Sequence, residues 1–348
     1  MTFNNLGDTI LGDTTLTITA VGLLGNTLLL SYFLCNRAWR RLSDTLYFLI
    51  SLVDTVILVF HVPVSISLTS LRQPGTWFST STGCGVWGVV WNTAMRLSIF
   101  VIMVLAVTRM IILVHPFKRI RKPHILVHIG FYFVLEILQA SVPFYIGLEY
   151  TYVGSIAMCF WPDYRAFQYP SNGFFIWYFH RAIFEFAAPF IVIISCCIVS
   201  VVSLYRSKRS QKYSPQECRV NNKNNATLTI IILASAYIIC NIPLLVYSTV
   251  SFTDAVIDPH NQAITWDDNN YCFIVFCINS VMLNAAVNPV LFLSRVSAMR
   301  VWVRGCLLRG RGLKGSRDCR MGAPCLRAVA PSVDRTLDNF AMTSLTLN

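Results

Sequence analysis

The chain has 348 residues, of which 55% are hydrophobic and 13% charged, and its net charge is +12. Charged residues make up about a quarter of an average soluble domain, so a soluble fold could not bury this much apolar surface. Most of the basic residues lie in loops between apolar segments. We therefore assign the charge to membrane topology and attraction to the lipid bilayer, and expect no nucleic-acid partner.

Seven apolar segments follow one another along the chain. Each is long enough to cross a hydrocarbon core about 30 Å thick, which needs roughly 20 helical residues. We predict an all-α membrane protein, a seven-transmembrane helix bundle occupying residues 14–294. The predicted spans are residues 14–35, 45–71, 82–115, 125–148, 174–205, 226–252 and 269–294.

The segments outside the bundle are short. Residues 1–13 are predicted to form an extracellular tail without a cleavable signal, so the first span would serve as a signal anchor. Residues 295–308 are predicted to form an amphipathic eighth helix, on which Cys306 is a candidate for palmitoylation. Residues 309–348 are too polar to build a core, and we expect a disordered cytoplasmic tail.

The distribution of Lys and Arg predicts the orientation, because basic loops stay on the cytoplasmic side. Basic residues gather in the first, third and fifth connections and in the carboxyl-terminal tail, whereas the opposite connections hold only Arg72 and Arg165. This pattern places the amino terminus outside and the carboxyl terminus in the cytoplasm. No internal repeat favours a transporter, and no nucleophile, nucleotide loop or zinc spacing favours an enzyme.

Polar side chains inside the predicted spans are candidates for function, because burying them in a bilayer is costly. One carboxylate with several neutral oxygens would suit a small cation, and ordinary hydrogen bonds between helices are the alternative. These residues are Asn26, Asp54, Ser98, Asn284 and Asn288.

An ordered set of short motifs on these spans resembles the rhodopsin-like (class A) G-protein-coupled receptors. The motifs are Gly-Asn at 25–26, Ile-Ser-Leu-Val-Asp at 50–54, Arg109 ending the third span, Pro189 in the fifth, Pro243 in the sixth, and Asn-Pro-Val-Leu-Phe at 288–292. The resemblance covers residues 11–308 and implies a plasma-membrane receptor that binds an extracellular ligand and activates a heterotrimeric G-protein. Receptor kinases and arrestin would act on hydroxyls of the tail.

The resemblance also implies roles for particular residues. Cys84 would form a disulfide with Cys159, and Asp54, Ser98, Asn284 and Asn288 would form a sodium site next to Asn26. Prolines 189 and 243 would kink their helices and let the sixth helix swing. The switch for G-protein coupling would comprise Thr108, Arg109, Met110, Asn288, Pro289 and Phe292.

The switch departs from the family pattern. Thr108 and Met110 replace the acid and the tyrosine that usually flank the arginine, and Lys223 replaces an acid on the sixth helix. Cys197 and Phe292 replace two tyrosines that support the active state. Both the resting and the active state lose stabilising contacts, so the sequence does not decide whether basal activity is high or low.

Five residues occupy positions that line the ligand pocket in this family: Trp91, Met95, Tyr237, Asn241 and Met282. Ordinary packing inside the bundle is the alternative role for them. Trp91 occupies the position of the aspartate that pairs with amine ligands, and the seventh span lacks the lysine that retinal requires. These two substitutions disfavour amine receptors and opsins.

Four charged residues lie deeper in the spans: Arg96, Glu136, Arg181 and Glu185. Mutual pairing is the account we favour, because an unpaired charge would be costly there. The alternative is that Arg96 or Arg181 receives a ligand carboxylate. We also expect His61 to have an interhelical partner.

The second outer loop favours a peptide ligand. Residues 150–161 alternate around a Gly-Ser pair, which predicts a β-hairpin. The acids predicted on the outer surface would steer a basic peptide, or they are simply solvated. These acids are Asp8, Asp13, Glu149, Asp163, Asp254, Asp258, Asp267 and Asp268. A small non-peptide ligand, a non-coupling scavenger or scaffold, and a transporter or channel remain as alternatives.

Overall fold

The structure is a computed structural model of the chain. It describes residues 5–36, 42–68, 81–115, 120–145, 151–152, 159–160, 183, 187–211, 217–257, 268–295 and 297–310.

Seven helices form the body of the molecule, and each is long and apolar enough to cross a membrane. Helices suit this environment because lipid offers no hydrogen bonds to the backbone, and a helix satisfies its own. The prediction of seven spans is therefore confirmed. The helices are α1 (Asn5–Asn36), α2 (Leu42–Leu68), α3 (Ser81–Val114), α4 (Lys122–Tyr145), α5 (Ala188–Gln211), α6 (Glu217–Ile257) and α7 (Asp268–Arg295).

Two helices begin earlier than the hydropathy pattern predicts. Helix α1 begins at Asn5, within the stretch assigned to the tail, although its apolar span begins at Gly12. Helix α6 begins at Glu217 and is 41 residues long. No proline interrupts either extension. Hydropathy marks the part of a helix that suits lipid, whereas the helix itself continues until its hydrogen bonding is broken.

The prolines differ in their position within the helices. Pro243 and Pro289 lie inside α6 and α7, and Pro63 lies inside α2. The α-helical part of α5 begins at Ala188, so Pro189 lies in its first turn. Ile183 and Ala187, which precede this part, are π-helical, and residues 184–186 lie outside the described residues. The predicted kink at Pro189 therefore stays a prediction.

Helix α3 is the centre of the bundle and contacts α2, α4, α5 and α6. The outer surface of the bundle is apolar, as is typical of a protein solvated by lipid. On α4, for example, Val127, Phe131 and Leu138 are exposed by 69%, 64% and 59%. Their spacing places them on one face of the helix.

Two short strands, β1 (Thr151–Tyr152) and β2 (Cys159–Phe160), pair antiparallel between α4 and α5. Thr151 lies opposite Phe160, and Tyr152 lies opposite Cys159. Residues 153–158, which include the predicted turn, lie outside the described residues. The complete hairpin therefore stays a prediction.

Residues 5–295 and the segment from Val296 onward belong to two compact units. The second unit contains helix α8 (Ser297–Gly310), close to the predicted bounds of 295–308. Cys306 lies on α8, and its side chain is outside the described part of the structure.

Glycines allow α1 to approach α7 closely. A Cβ atom added to Gly22 would lie 3.0 Å from the Cβ of Ala286 and 3.2 Å from its Cα. A Cβ atom added to Gly25 would lie 2.9 Å from the Cβ of Pro289. The two helices could not pack at this distance with larger residues at these positions.

Gly22→Ala is expected to lower the melting temperature of the purified protein. Overpacking costs about 1–3 kcal/mol, which outweighs the gain of about 1 kcal/mol when alanine replaces glycine in a helix. Gly130→Ala is the matched control, because a Cβ there meets no atom within 4 Å. The control should hold or raise the melting temperature, and an equal response of both variants would contradict the close approach.

Candidate functional site

A buried carboxylate joins three helices in the middle of the bundle. The Asp54 side chain on α2 is 0% exposed. Ser98 of α3 donates a hydrogen bond to its Oδ1 at 3.0 Å, and Asn288 of α7 donates to its Oδ2 at 2.6 Å. Three of the predicted polar residues therefore come together in one cluster.

The other two asparagines of the predicted cluster differ in their contacts. The Nδ2 of Asn26 donates to the backbone carbonyls of Gly22 at 3.0 Å and Ala285 at 2.9 Å, so it links α1 to α7. Asn284 is 5% exposed. The Oδ1 atoms of Asn26, Asn284 and Asn288 have no hydrogen-bond partner among the described residues.

This donor set fits a hard cation better than a transition metal. The residues offer carboxylate, amide and hydroxyl oxygens, which are the ligands of hard cations. In the described part of the chain, no three His, Cys, Asp or Glu residues come together as metal ligands.

Arg109 lies near the carboxyl end of α3, beside buried Thr108 and half-buried Met110. It lines a small pocket together with residues of α3, α5 and α6. The other lining residues are Ala106, Cys196, Cys197, Ser200, Thr227, Ile230 and Ile231. The side chain of Lys223 is outside the described part of the structure, so its predicted repulsion of Arg109 stays a prediction.

The sequence analysis missed Tyr47, a residue near the start of α2 that is 7% exposed. The Tyr47 ring also meets Phe292 edge to face, with ring centroids 4.5 Å apart. The missed signal was periodicity, because Tyr47 precedes Asp54 by two helical turns and shares its face.

Arg96 and Glu136 form a buried ion pair between α3 and α4. Their side chains are each 4% exposed, and the Nη1 of Arg96 donates to the Oε2 of Glu136 at 2.8 Å. This contact is the mutual pairing favoured from the sequence. Arg181 and Glu185 lie outside the described residues, and their pairing stays a prediction.

Three of the predicted pocket residues are close together. Half-buried Trp91 and Met95 of α3 pack against a core cluster that contains Met282 of α7. The Trp91 ring stacks on Trp87 with centroids 5.3 Å apart, and Trp87 donates to the carbonyl of Phe60. The Nε1 of Trp91 has no hydrogen-bond partner among the described residues.

The two predicted pocket residues of α6 are also buried. Asn241 donates through Nδ2 to the carbonyl of Tyr237 at 2.8 Å, and the Tyr237 ring packs on Phe190 of α5. The Tyr237 hydroxyl, the Oδ1 of Asn241 and both ring nitrogens of His61 have no hydrogen-bond partner in the described structure. The expected interhelical partner of His61 is therefore not found within that part.

The predicted disulfide falls on side chains that the structure leaves undescribed. Cys84 lies in the first turn of α3 and Cys159 begins β2. Their side chains are outside the described part, so the bond stays a prediction.

Seven apolar helices around a buried polar cluster are typical of a multi-pass membrane protein. The model of the family described as "7 transmembrane receptor (rhodopsin family)" matches residues 25–292, and the chain belongs to this family. It is therefore a G-protein-coupled receptor, and the family is one of receptors rather than enzymes. Membership implies a ligand and a G-protein as partners.

The fold is also similar to the crystal structure of squid rhodopsin. The match has a TM-score of 0.69 at 15% sequence identity. It covers 88% of this chain and 87% of the rhodopsin chain. At this identity, the similarity concerns the fold alone.

Removing one member of the Arg96–Glu136 pair is expected to reduce surface expression strongly. A single partner leaves an uncompensated buried charge that costs about 3–5 kcal/mol, whereas replacing both can be neutral. Arg96→Met and Glu136→Met should each fail in a surface-labelling assay, and the double variant should recover. Full expression of Arg96→Met would argue for a ligand contact instead.

Proposed function

We propose that this receptor resides in the plasma membrane with its amino terminus outside, binds a peptide, and activates heterotrimeric G-proteins. The observation that supports coupling is the position of Arg109 in a pocket lined by α3, α5 and α6. A cationic side chain there can meet the carbonyl groups at the end of a G-protein helix. The basic connections predicted on this side support its assignment to the cytoplasm.

Outward movement of α6 is the proposed activation step. The pocket is small and is closed on one side by Thr227, Ile230 and Ile231 of α6. Pro243 lies inside this helix, and a proline removes a backbone hydrogen bond and permits a bend. Swinging the amino-terminal half of α6 away from α3 would widen the pocket beside Arg109.

Several features support a peptide as the ligand. The paired strands β1 and β2 fit a hairpin in the second outer loop, which would leave the entrance to the bundle open. Acids predicted around that entrance favour a basic peptide. The proposed Cys84–Cys159 disulfide would fix the loop to α3.

We place the deep end of the ligand site around Trp91, Met95 and Met282, with Tyr237 and Asn241 below them. The Nε1 of Trp91, the Tyr237 hydroxyl and the Oδ1 of Asn241 are buried polar atoms without partners among the described residues. Leaving such atoms unpaired costs free energy, which a polar ligand would recover. Arg181 and Glu185 are proposed as further contacts. A small non-peptide ligand would use the same atoms.

The cluster around Asp54 is proposed as a sodium site. Asp54 would supply the charge, and Ser98, Asn284 and Asn288 would supply neutral oxygens. Bound sodium would neutralise the buried carboxylate and bind one conformation of the bundle more tightly than another, which would shift the equilibrium between states. Asn26 would support the site indirectly by fixing α1 against α7.

The second candidate function is a non-coupling scavenger or scaffold. The specific observation in its favour is that Thr108 lacks the charge, and Met110 and Phe292 lack the hydroxyl groups, of the usual switch. Receptor kinases and arrestin, acting on the hydroxyls of residues 309–348, and palmitoylation of Cys306 are proposed under either function.

Arg109→Ala is expected to abolish peptide-stimulated G-protein activation while surface expression persists. The measurement is nucleotide exchange in cells, across a library of basic and amidated peptides. Arg304→Ala is the control, because it removes an exposed arginine that does not line the pocket. A response that survives without Arg109 would contradict the proposed switch. Silence of the surface-expressed wild type across all peptides and G-protein classes would favour a non-peptide ligand or the non-coupling alternative.

Sodium is expected to raise the melting temperature of the purified receptor above its value in potassium at the same concentration. A site filled at about ten times its Kd gains about 1.4 kcal/mol. Asp54→Asn should remove the difference between the two salts. Asn279→Ala, which changes a buried asparagine of α7 outside the cluster, should retain it. An unchanged sodium effect in Asp54→Asn would exclude this site.

A further inference from the structure

We propose that the deep end of the ligand site takes a carboxamide group, held between the imidazole of His61 on α2 and the indole N–H of Trp91 on α3. This inference rests on the proposed function, because it names the chemistry of the ligand that the same site binds. A carboxamide can come from the amidated end of a peptide, from an Asn or Gln side chain of a peptide, or from a small molecule.

His61 and Trp91 border the same interface between α2 and α3. Trp87 donates from Nε1 to the carbonyl of Phe60, which is bonded directly to the backbone nitrogen of His61. The Trp91 ring stacks on the Trp87 ring, with centroids 5.3 Å apart and planes 12° apart. Trp91 also packs against a cluster that contains Leu58, and His61 lies one turn beyond Leu58 on the same face of α2. Both side chains therefore lie at one level of the bundle, next to the proposed deep end of the ligand site.

Both side chains carry buried polar atoms that receive no hydrogen bond from the protein. His61 is 1% exposed, and neither its Nδ1 nor its Nε2 has a partner among the described residues. The Nε1 of Trp91 is likewise buried, without a partner in the same part of the chain. Native proteins rarely leave buried donors and acceptors unsatisfied, and here three such atoms lie on neighbouring side chains. They point to a polar group that comes from outside the chain.

The hydroxyl groups that follow His61 are engaged with other atoms. Ser65, one turn further along α2, donates to the backbone carbonyl of His61 at 3.1 Å. The Ser65 hydroxyl also lies 3.0 Å from the Oγ1 of Thr19 on α1, which donates to the carbonyl of Thr15. These bonds tie α1 to α2 and hold the backbone of this turn without using the imidazole. The ring nitrogens of His61 are therefore presented from a fixed position.

The segments of α1, α2, α3 and α7 at this level contain no Asp, Glu, Lys or Arg. These segments are residues 15–22, 57–65, 87–95 and 276–283. Asp54 lies two turns deeper on α2 and accepts its hydrogen bonds from α3 and α7. A buried imidazole without an acid beside it stays uncharged, because a buried charge without a partner is costly. It therefore offers one N–H donor and one nitrogen acceptor.

This set of atoms matches a carboxamide better than a charged group. The carbonyl oxygen of a carboxamide can accept from the Nε1–H of Trp91, while its N–H donates to the unprotonated nitrogen of His61. A carboxylate has acceptors only, so it would leave that nitrogen unpaired or would have to protonate it and bury an ion pair. An ammonium would find no negative charge at this level to balance its own. A carboxamide satisfies both side chains without burying a charge.

The first test measures binding without any G-protein. N-acetylphenylalaninamide at millimolar concentration should raise the melting temperature of the purified receptor by about 1 °C, whereas the free acid N-acetylphenylalanine should not. His61→Phe should remove this difference, because it deletes the acceptor and keeps an aromatic ring. Without a probe, this variant should melt at the wild-type temperature or above it, since an apolar group replaces a polar one that lacks a partner.

Thr93→Val is the matched control for His61→Phe. It removes another buried polar atom without a partner among the described residues, and it keeps the shape of the side chain. Thr93 lies two residues after Trp91, about 200° around α3, so it faces away from the proposed contact. This variant should keep the full difference between the amide and the acid.

The second test identifies the source of the carboxamide. Each basic peptide of the library is made with an amidated end and with a free carboxylate, and nucleotide exchange is measured at matched surface expression. The amidated form should be about tenfold or more the more potent, and His61→Phe or Trp91→Phe should narrow this ratio severalfold. Equal potency of both forms, lost when an Asn or Gln of the peptide is replaced by Leu, would assign the carboxamide to that side chain.

Several outcomes would overturn the carboxamide site. These are stabilisation by the acid as large as by the amide, stabilisation by neither probe, or an amide effect that survives His61→Phe. A lower melting temperature of His61→Phe without a probe would assign the imidazole a structural role and overturn the site as well. Amide stabilisation that depends on His61, together with silence toward every peptide, would keep the site and overturn the proposed peptide function.

Discussion

A carboxylate placed in the middle of an apolar bundle must receive hydrogen bonds, or its burial would cost more than the fold can supply. Asp54 obtains them from α3 and α7, and this requirement fixes how three helices approach one another. Asn26 extends the constraint to α1 through the carbonyl of Ala285, next to the glycines that bring α1 against α7. The close packing of α1 and the polar cluster are therefore parts of one arrangement.

The polar side chains of helix α3 lie at different depths in the bundle and point to different neighbouring helices. Arg96 points to α4 and meets Glu136, Ser98 points to α2 and meets Asp54, and Arg109 lines the pocket between α5 and α6. Rotating α3 would break the contacts of Arg96 and Ser98 at once. The proposed movement of α6 leaves these contacts of α3 in place.

Much of this structure follows from the sequence, because lipid imposes simple rules. Span length predicts the number of helices, and the cost of buried charge predicts that Asp54 and Arg96 have partners. What the sequence could not predict are contacts that depend on helix rotation and distance, such as Asn26 with the carbonyl of Ala285 or Tyr47 with Phe292.

The length of α6 has a mechanical consequence. At about 1.5 Å per residue, its 41 residues span about 60 Å, twice the thickness of the hydrocarbon core. The arm from Pro243 to Glu217 is about 40 Å long, so a tilt of about 10° at the proline displaces its tip by about 7 Å. A small change of angle at Pro243 would thereby be converted into a displacement comparable to the radius of a helix. The amplification comes from leverage, and it would decrease if this helix ended at the membrane surface.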